Sequence, residues 1–341
     1  MDLLRKLMRD VLKERRRRNV TTALVTNVPQ LLLRSTAEST LRAYRHYFKV
    51  FASWCHIHEC RCVPAEPGTV ELFLTDVAGR YSPRTVSGLL NGIAFAHRAA
   101  GETFDRSMFD RLLQGIRRRH ARPPRQAAPL TVAELRTMVL ALPNTLQAAR
   151  DRALVTVGFA GALRGHELVG LDVGTPARDC TGEVLLEPDG ARIALYKSKG
   201  DQMARGQMKW IPRGGNPCPV EAMEHWLKKA RITSGPIFRP VTCGRVSCRR
   251  LHADEVGKAV KRLIYTSALR SGLSDQEAKA RIVRYSGHSL RTGFVTSAVM
   301  AGVRNEDIAA HVGWKNTKYV FIYARQAEPL RNNPAQLVLS L

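Results

Sequence analysis

The chain has 341 residues, enough for two ordinary domains, and 44% of them are hydrophobic, so disorder throughout the chain is excluded. Lysine and arginine number 54 against 29 acidic residues, which gives a formal net charge of +25 and indicates a polyanionic partner, with nucleic acid first. No uncharged apolar run approaches the roughly 18 residues of a membrane span. Seven cysteines without a disulfide-framework spacing are typical of a reduced, cytoplasmic protein.

Positive charge is spread along the whole chain. Residues 1–125 contain 23 basic and 11 acidic side chains, a net +12, so a single basic tail does not explain the excess. Both halves are therefore expected to face the same polyanion, and binding is expected to weaken as salt rises. The bias of 41 arginines to 13 lysines suits phosphate recognition, and a GC-rich genome would give the same bias.

The segment 1–28 is interpreted as a basic N-terminal arm. Apolar side chains within residues 3–12 recur on one helical face, and the run Arg15 to Arg18 follows them. Charges interrupt the apolar stretch and no small-residue cleavage site follows, so a secretory signal is excluded. A solvated basic helix and an arm that contacts DNA or a partner both fit, and a membrane-surface helix fits least.

Residues 29–116 are predicted to form an all-α domain. Apolar residues from Leu41 to Phe51 recur at helical spacing. Ser82 is a strong N-cap and Pro83 suits the first helical position after it, so another helix is expected to begin there. A basic, proline-containing linker is predicted over 117–129, where no apolar period occurs; it is expected to lie along phosphate, with a merely solvated linker as the alternative.

Residues 130–341 are predicted to form a second domain that is mainly α with one small antiparallel sheet. Thr131 and Glu134 have the spacing of a capping box, and a buried helix is predicted through Ala153 to Leu168. Three strands are predicted, over 183–187, 191–197 and 208–212. The fold class is therefore mainly α in two domains, an all-α domain followed by an α+β domain.

Two motifs in the second domain combine arginine with a polar neighbour. His288 and Arg291 are three residues apart on one helical face, where both can donate hydrogen bonds to a phosphate diester. Arg164 ends an apolar helix and requires an anion, which is either the carboxylate of Glu167 or a substrate phosphate. A surface His-Arg pair and a buried ion pair are the structural alternatives.

A third motif contains aromatic residues near the end of the chain. Tyr319 and Tyr323 are one helical turn apart and follow Gly313-Trp314. A tyrosine can attack phosphorus if nearby cations stabilise its oxyanion, although two half-buried aromatic residues would give the same pattern. Residues 301–312 also resemble a helix-turn-helix, which provides a non-enzymatic alternative, a sequence-specific DNA-binding repressor.

The order of these motifs resembles the tyrosine recombinase (phage integrase) family: arginine on a helix, lysine in a hairpin turn, His-x-x-Arg, Gly-Trp, and a tyrosine nine residues after the tryptophan. The segment GHSLRTGFVTSAVMAGVRNEDIAAHVGWKNTKYVFIYAR is the most specific part of the match. WCHIHECRCVPAEPGTVELFL is similar to the core-binding region of that family. The resemblance covers about residues 30 to 328 and is weakest in 1–28 and 232–285.

The resemblance implies a catalytic role for several of these residues. Tyr323 would attack the scissile phosphate and leave a 3′-phosphotyrosyl link and a free 5′-hydroxyl. Arg164 and Arg291 would bind the non-bridging oxygens, and His288 would bind the phosphate and help to deprotonate the tyrosine. Glu167 would hold Arg164 in place.

Two further positions follow from the same resemblance. Lys199 in the turn 197–201 would protonate the leaving 5′-oxygen, with Lys197 as the rival lysine. Trp314 occupies a position where many members have histidine; its indole N–H can donate a hydrogen bond but cannot transfer a proton at neutral pH. Tyr319 is the rival nucleophile, and His311 is left outside the catalytic set because it lies off the family position.

No metal or nucleotide cofactor is expected. A phosphotyrosyl bond keeps the energy of the phosphodiester, so religation needs no ATP, and the sequence contains no P-loop pattern. Cysteine and histidine crowd into residues 55–62, but their spacing does not match a zinc finger, and Cys243 and Cys248 lack a second pair of ligands.

The resemblance also implies partners. The two domains would form a C-shaped clamp on double-stranded DNA with specific inverted-repeat sites, as a homotetramer made of two dimers, away from membranes. The C-terminal helix within 334–341 would dock on a neighbouring protomer or on its own domain. The expected phosphate contacts are Arg84, Arg98, Arg117, Arg118 and Arg119.

These observations predict a site-specific recombinase that cuts and rejoins duplex DNA through a Holliday junction, in integration, excision or resolution of a mobile element. The alternatives are a type IB topoisomerase, a catalytically idle DNA-binding protein and a telomere resolvase. Segment 1–28 is too short for the extra domain of arm-binding integrases, which favours a simpler recombinase.

Overall fold

The computed structural model describes residues 38–122, 126–177, 179–196, 206–327 and 338. The chain divides into two compact units, 1–124 and 125–341, and this division falls inside the predicted linker. Among the described residues, no helix combines the length and apolar character that a membrane span requires.

In the described part of the N-terminal unit the regular structure is all helical, as predicted. Its elements are α1 (Glu38–Ile57), α2 (Pro67–Val77), α3 (Pro83–Ala100), a 3₁₀ helix (Arg106–Phe109) and α4 (Asp110–His120). Ser82 caps α3, because its Oγ accepts a hydrogen bond from the backbone N–H of Thr85 at 3.2 Å and Pro83 follows it. Phe51 and Phe73 meet edge to face at 5.0 Å in the core of this unit.

Helix α4 corrects the start of the predicted linker. It continues through Arg117, Arg118 and Arg119 and ends at His120, four residues into the segment 117–129. Leu113 and Ile116 are buried and keep the helical period. Cations in the last turn also interact favourably with the negative end of the helix dipole.

The C-terminal unit contains nine helices among its described residues. They are α5 (Val132–Leu140), α6 (Leu146–Ala160), α7 (Gly165–Val169), α8 (Pro219–Ala230), α9 (Asp254–Arg270), α10 (Asp275–Ile282), α11 (His288–Met300), α12 (Asn305–Val312) and α13 (Lys318–Ala327). The predicted capping box of α5 is present, because the side chains of Thr131 and Glu134 each accept a hydrogen bond from the other's backbone N–H.

The predicted continuous helix from Ala153 to Leu168 is wrong. Helix α6 ends at Ala160, and Ala162 adopts a left-handed conformation with φ of +46°. A new helix, α7, then begins after Arg164. The apolar pattern continues through the break because Ala162 and Leu163 are both buried, so periodicity gave no sign of it.

The sheet is mixed rather than purely antiparallel. Its strands are β1 (Leu171–Val173), β2 (Gly182–Glu187), β3 (Gly190–Leu195), β4 (Gln207–Pro212) and β5 (Gly235–Pro236), in the order β4-β3-β2-β1-β5. The predicted strands β2, β3 and β4 pair antiparallel. The short β1 was not predicted, and it pairs parallel with β2. A separate hairpin joins β6 (Val241–Thr242) and β7 (Arg245–Val246).

A small apolar cluster lies beneath the end of the chain that contains the candidate site. Val295 of α11, Ile308 and Val312 of α12, and Val320 of α13 are buried together. Gly293 permits a close approach on α11, since a Cβ there would lie 2.0 Å from the carbonyl oxygen of Leu130. These contacts hold the three helices in place around the candidate residues.

Candidate active site

Arg291 lies at the centre of the candidate site and is buried, with 1% of its surface exposed. It is on α11, which the buried Leu290 and Val295 pack into the unit. Its Nη1 donates a hydrogen bond to the carbonyl oxygen of Ala162 at 2.7 Å. Its Nη2 is also buried and has no hydrogen-bond partner among the described residues. A buried cationic donor without a partner is costly unless an anion binds to it.

Arg164 and Glu167 form the second part of the site, at the start of α7. Glu167 accepts hydrogen bonds from the backbone N–H of Arg164 at 2.8 Å and from its Nη1 at 2.5 Å. Burial opposes ionisation of Glu167, but the backbone N–H of Arg164 and the charges of Arg164 and Arg291 lower its pKa overall. The carboxylate therefore fixes the guanidinium of Arg164, which stays partly exposed.

Tyr323 on α13 lies beside His288 at the start of α11. The hydroxyl of Tyr323 is 3.3 Å from Nε2 of His288. The ring of Trp314 stacks on that of Tyr323, with centroids 5.5 Å apart and planes 10° from parallel. The guanidinium carbon of Arg291 lies 5.3 Å from the centre of the same indole. The structure thus brings four predicted residues together.

The charge states of this pair suit proton transfer. Burial raises the pKa of Tyr323, against the opposing effect of Arg291, so the phenol is protonated at neutral pH. Loss of hydration and the positive charges of Arg291 and Arg164 lower the pKa of His288, so its imidazole is neutral. A neutral imidazole can accept the phenolic proton. Arg291 stays charged, although burial and Arg164 lower its pKa to about 10.

The other candidates for catalysis have different surroundings. Tyr319 is exposed, and its ring is 5.8 Å from that of Trp314. The ring of His311 stacks on Phe294 with centroids 4.6 Å apart, and its Nε2 lies 2.8 Å from the carbonyl oxygen of Ala160. Lys199 and its rival Lys197 lie outside the described residues, so their assignment stays a prediction.

Sequence analysis missed one residue at this site, Lys209 of β4. It is 5% exposed, and its Nζ donates a hydrogen bond to the carbonyl oxygen of His311. Burial and the charges of Arg291 and Arg164, partly offset by Glu167, lower the pKa of Lys209 to about 7. Alternation along β4 places Lys209 on the same face as the apolar Ile211, which is the signal that could have indicated its burial. A lysine in a strand normally faces solvent, so this signal is weak.

The predicted DNA-contacting arginines are all exposed on helices of the N-terminal unit. Arg84 and Arg117 line one cleft of about 600 Å³ between α1, α3 and α4. Tyr44, Tyr47 and Asn91 line the same cleft. Arg98 lies near the other end of α3, and Arg118 and Arg119 follow Arg117 on α4.

The cysteines of the chain are free thiols. Among the described residues, no three histidine, cysteine or acidic side chains are grouped so that they could hold a metal ion. In the crowded segment 55–62, burial and the neighbouring Cys60 raise the pKa of Cys55 to about 12, which makes its thiolate rare at neutral pH.

Comparison with known proteins identifies similar chains. No family model matches. An integrase/recombinase XerD homolog of Selenomonas ruminantium is 31% identical over 313 residues, covering 89% of this chain and 86% of that protein. Recombinase Cre of Escherichia phage P1 is 23% identical over 302 residues, covering 86% and 85%.

Solved structures show the same fold. The Tn1549 transposon integrase in complex with transposon right-end DNA has a TM-score of 0.56 at 13% identity and covers 95% of this chain and 99% of its own. The XerH site-specific recombinase bound to its difH substrate, in a post-cleavage complex, has a TM-score of 0.52 at 15% identity, with coverage of 80% and 71%. The chain therefore belongs to the tyrosine recombinases, the site-specific DNA strand-transferring enzymes that its motif order resembles.

Proposed function

We propose that Tyr323 is the nucleophile with which this recombinase cuts and rejoins DNA, and that Arg164, Arg291 and His288 hold the scissile phosphate against it. One observation supports this assignment above the others. The Tyr323 hydroxyl lies 3.3 Å from Nε2 of His288, beside a buried arginine whose Nη2 lacks a partner among the described residues.

The proposed reaction uses these four residues and Lys199, the predicted acid that lies outside the described residues. The Tyr323 oxygen bonds to phosphorus while His288 takes its proton, and the bond from phosphorus to the 5′-oxygen breaks. Arg164 and Arg291 stabilise the charge on the non-bridging oxygens, and Lys199 gives its proton to the leaving 5′-oxygen. A 5′-hydroxyl from a second duplex then attacks the phosphorus of the phosphotyrosyl bond. The bond from phosphorus to the Tyr323 oxygen breaks, the tyrosine regains its proton, and a new phosphodiester is formed.

Trp314 supports the nucleophile in this scheme. Its ring lies flat against Tyr323 and also faces the guanidinium of Arg291. The stack restricts rotation of the phenol. The indole N–H can donate a hydrogen bond but cannot accept or transfer a proton at neutral pH. Proton transfer is therefore assigned to His288 and Lys199.

The proposal extends to the assembly on DNA. Two duplex sites with inverted repeats would bind two dimers, which exchange strands through a Holliday junction as a tetramer. Arg84, Arg98, Arg117, Arg118 and Arg119 would contact phosphates, and the cleft between α1, α3 and α4 supports Arg84 and Arg117 most directly.

A covalent-adduct assay tests the chemistry. The protein is incubated in EDTA with nicked duplexes that cover the DNA flanking its own gene, and the products are separated in SDS. We expect an adduct that Tyr323→Phe abolishes and that Tyr319→Phe, the matched control one turn away, preserves. An adduct that persists in Tyr323→Phe would contradict the assignment.

The same samples separate the alternative functions. Tight binding to a mapped site without any adduct would indicate the idle DNA-binding protein. An adduct together with relaxation of supercoiled plasmids that lack the mapped site would indicate a topoisomerase. Sequencing the trapped DNA identifies the site and shows whether it contains inverted repeats.

A further inference from the structure

Lys209 occupies an unusual place for a lysine. Its neighbours in the strand, Met208 and Trp210, are 60% and 41% exposed, whereas Lys209 itself points inward. The strand therefore exposes Met208 and Trp210, and it buries Lys209 on the same face as the apolar Ile211. Since burying a lysine is costly, a specific function for its ammonium group is expected.

The ammonium group of Lys209 contacts the end of helix α12. The last four carbonyl groups of a helix have no partner within the helix, and a cation there also complements the helix dipole. Nζ of Lys209 donates to the carbonyl oxygen of His311, and Nε2 of Gln207 donates to that of Ala310 at 3.3 Å. Two side chains of β4 thus cap α12.

This capped helix end leads directly to the aromatic stack. Gly313 adopts a left-handed conformation, with φ of +78°, and the backbone N–H of Trp314 donates to the carbonyl oxygen of Ala309 at 2.8 Å. A Cβ on Gly313 would lie 2.3 Å from Oε1 of Gln207, so the strand and the turn are in close contact. The orientation of Trp314, and hence of Tyr323 stacked on it, depends on this turn.

We propose that Lys209 is a positioning residue of the strand-cleavage reaction: with Gln207, it fixes the end of α12 so that Trp314 holds Tyr323 beside His288. Lys209 does not contact the substrate in this proposal. The inference rests on the proposed role of Tyr323. Because a displacement of about 1 Å at a reacting group can cost a hundredfold in rate, the expected effect is on cleavage and not on DNA binding.

The first experiment measures cleavage of a nicked duplex by Lys209→Met, which keeps the length of the side chain and removes the donor. We expect cleavage to slow by about 10- to 100-fold with DNA affinity within about twofold. Lys209→Arg retains a donor and should recover at least part of the rate. Lys229→Met is the matched control, since Nζ of Lys229 also donates to a backbone carbonyl, that of Asn144, outside the site.

A substrate with sulfur at the cut distinguishes a residue that positions the nucleophile from one that protonates the leaving group. When the 5′-bridging oxygen at the cut is replaced by sulfur, the leaving thiolate needs no proton. Lys199→Ala should regain activity on this substrate, whereas Lys209→Met should remain slow because its defect lies at the nucleophile. Equal recovery by both variants would overturn the proposal and place Lys209 with the leaving-group acid.

Further outcomes distinguish failure of this inference from failure of the proposed function. If wild type forms no adduct, the proposed function fails; if it does and Lys209→Met cleaves at the wild-type rate, only this inference fails. If Lys209→Met does not fold, Gln207→Ala replaces it, because Gln207 is partly exposed and bonds to the same helix end. A slower cleavage by Gln207→Ala that sulfur does not restore supports the proposal, and an unchanged rate contradicts it.

Discussion

Two arginines of the C-terminal unit, the largely buried Arg250 and the fully buried Arg291, have opposite surroundings. Arg250 donates to the carbonyl oxygen of Val169 and to the carboxylates of Asp172 and Asp179 through four hydrogen bonds of 2.6–3.0 Å. Burial opposes its charge, but the two carboxylates raise the pKa of Arg250. Within the ranges that the structure describes, Arg291 donates to one carbonyl group, and burial and Arg164 lower its pKa to about 10.

The difference separates an arginine whose donors are satisfied by the protein from one that keeps a buried donor without a partner among the described residues. The protein neutralises Arg250 completely, so that side chain joins β1 to the loop before α9. Among the described residues, Glu167 offsets the buried charge of Arg291 only in part, because Arg164 and Lys209 add positive charge nearby. A phosphate diester would supply the missing acceptors.

The largest expected effect is on the structural arginine. Arg250→Met should lower the free energy of unfolding by about 3–5 kcal/mol, because it leaves the fully buried carboxylate of Asp172 without its partner. Urea unfolding followed by tryptophan fluorescence measures this. The control Arg304→Met removes an exposed pair with Asp307 and should leave the urea midpoint almost unchanged. Equal losses of unfolding free energy in Arg250→Met and Arg304→Met would contradict the structural role assigned to Arg250.

Arg291→Met should act on the reaction and not on the fold. We expect adduct formation to slow by about 10²- to 10³-fold, the usual cost of losing one donor to a developing oxyanion. The free energy of unfolding should be unchanged or higher, because a poorly compensated buried charge is removed. The same adduct and urea assays measure both quantities. A loss of stability like that of Arg250→Met would show that Arg291 is structural.

The smallest expected effect is a change in pH dependence at Glu167, the carboxylate of the site. Its lowered pKa stabilises the folded state at pH values above the ordinary 4.5, and this contribution is lost as the pH falls through the lowered value. Glu167→Gln lacks the contribution. Wild type should therefore exceed Glu167→Gln in unfolding free energy by a constant amount above pH 4.5 and by less below it. A difference that widens towards acid pH would contradict the assigned ion pair.

The sequence could predict much of the candidate site because its residues come in short local motifs. His288 and Arg291 share a helical face, Glu167 bonds to Arg164 three residues before it, and Trp314 and Tyr323 belong to one segment. The helical N-terminal unit was also predictable from its apolar period and from the Ser82 cap. These features depend on neighbours along the chain.

The rest depends on contacts between distant segments, for which one sequence contains no local signal. The break at Ala162 lies against a distant segment, since Nη1 of Arg291 donates to the Ala162 carbonyl oxygen 129 residues away along the chain. The three-residue β1 is too short to show a period, and it forms by pairing with β2 and β5. Lys209 shares the buried face of β4 with Ile211, but a lysine in a strand normally faces solvent, so its residue type gave no sign of this burial.

The Nη2 of Arg291, which has no hydrogen-bond partner in the described part of the chain, also has a consequence for the lifetime of the protein in a cell. A buried, uncompensated donor makes the unbound molecule less stable than it would be with phosphate in place, and a ligand that binds only the folded state shifts the equilibrium towards it. Proteases act on transiently opened chains. Molecules off DNA would therefore be degraded first, and the surviving pool would be concentrated on its recombination sites.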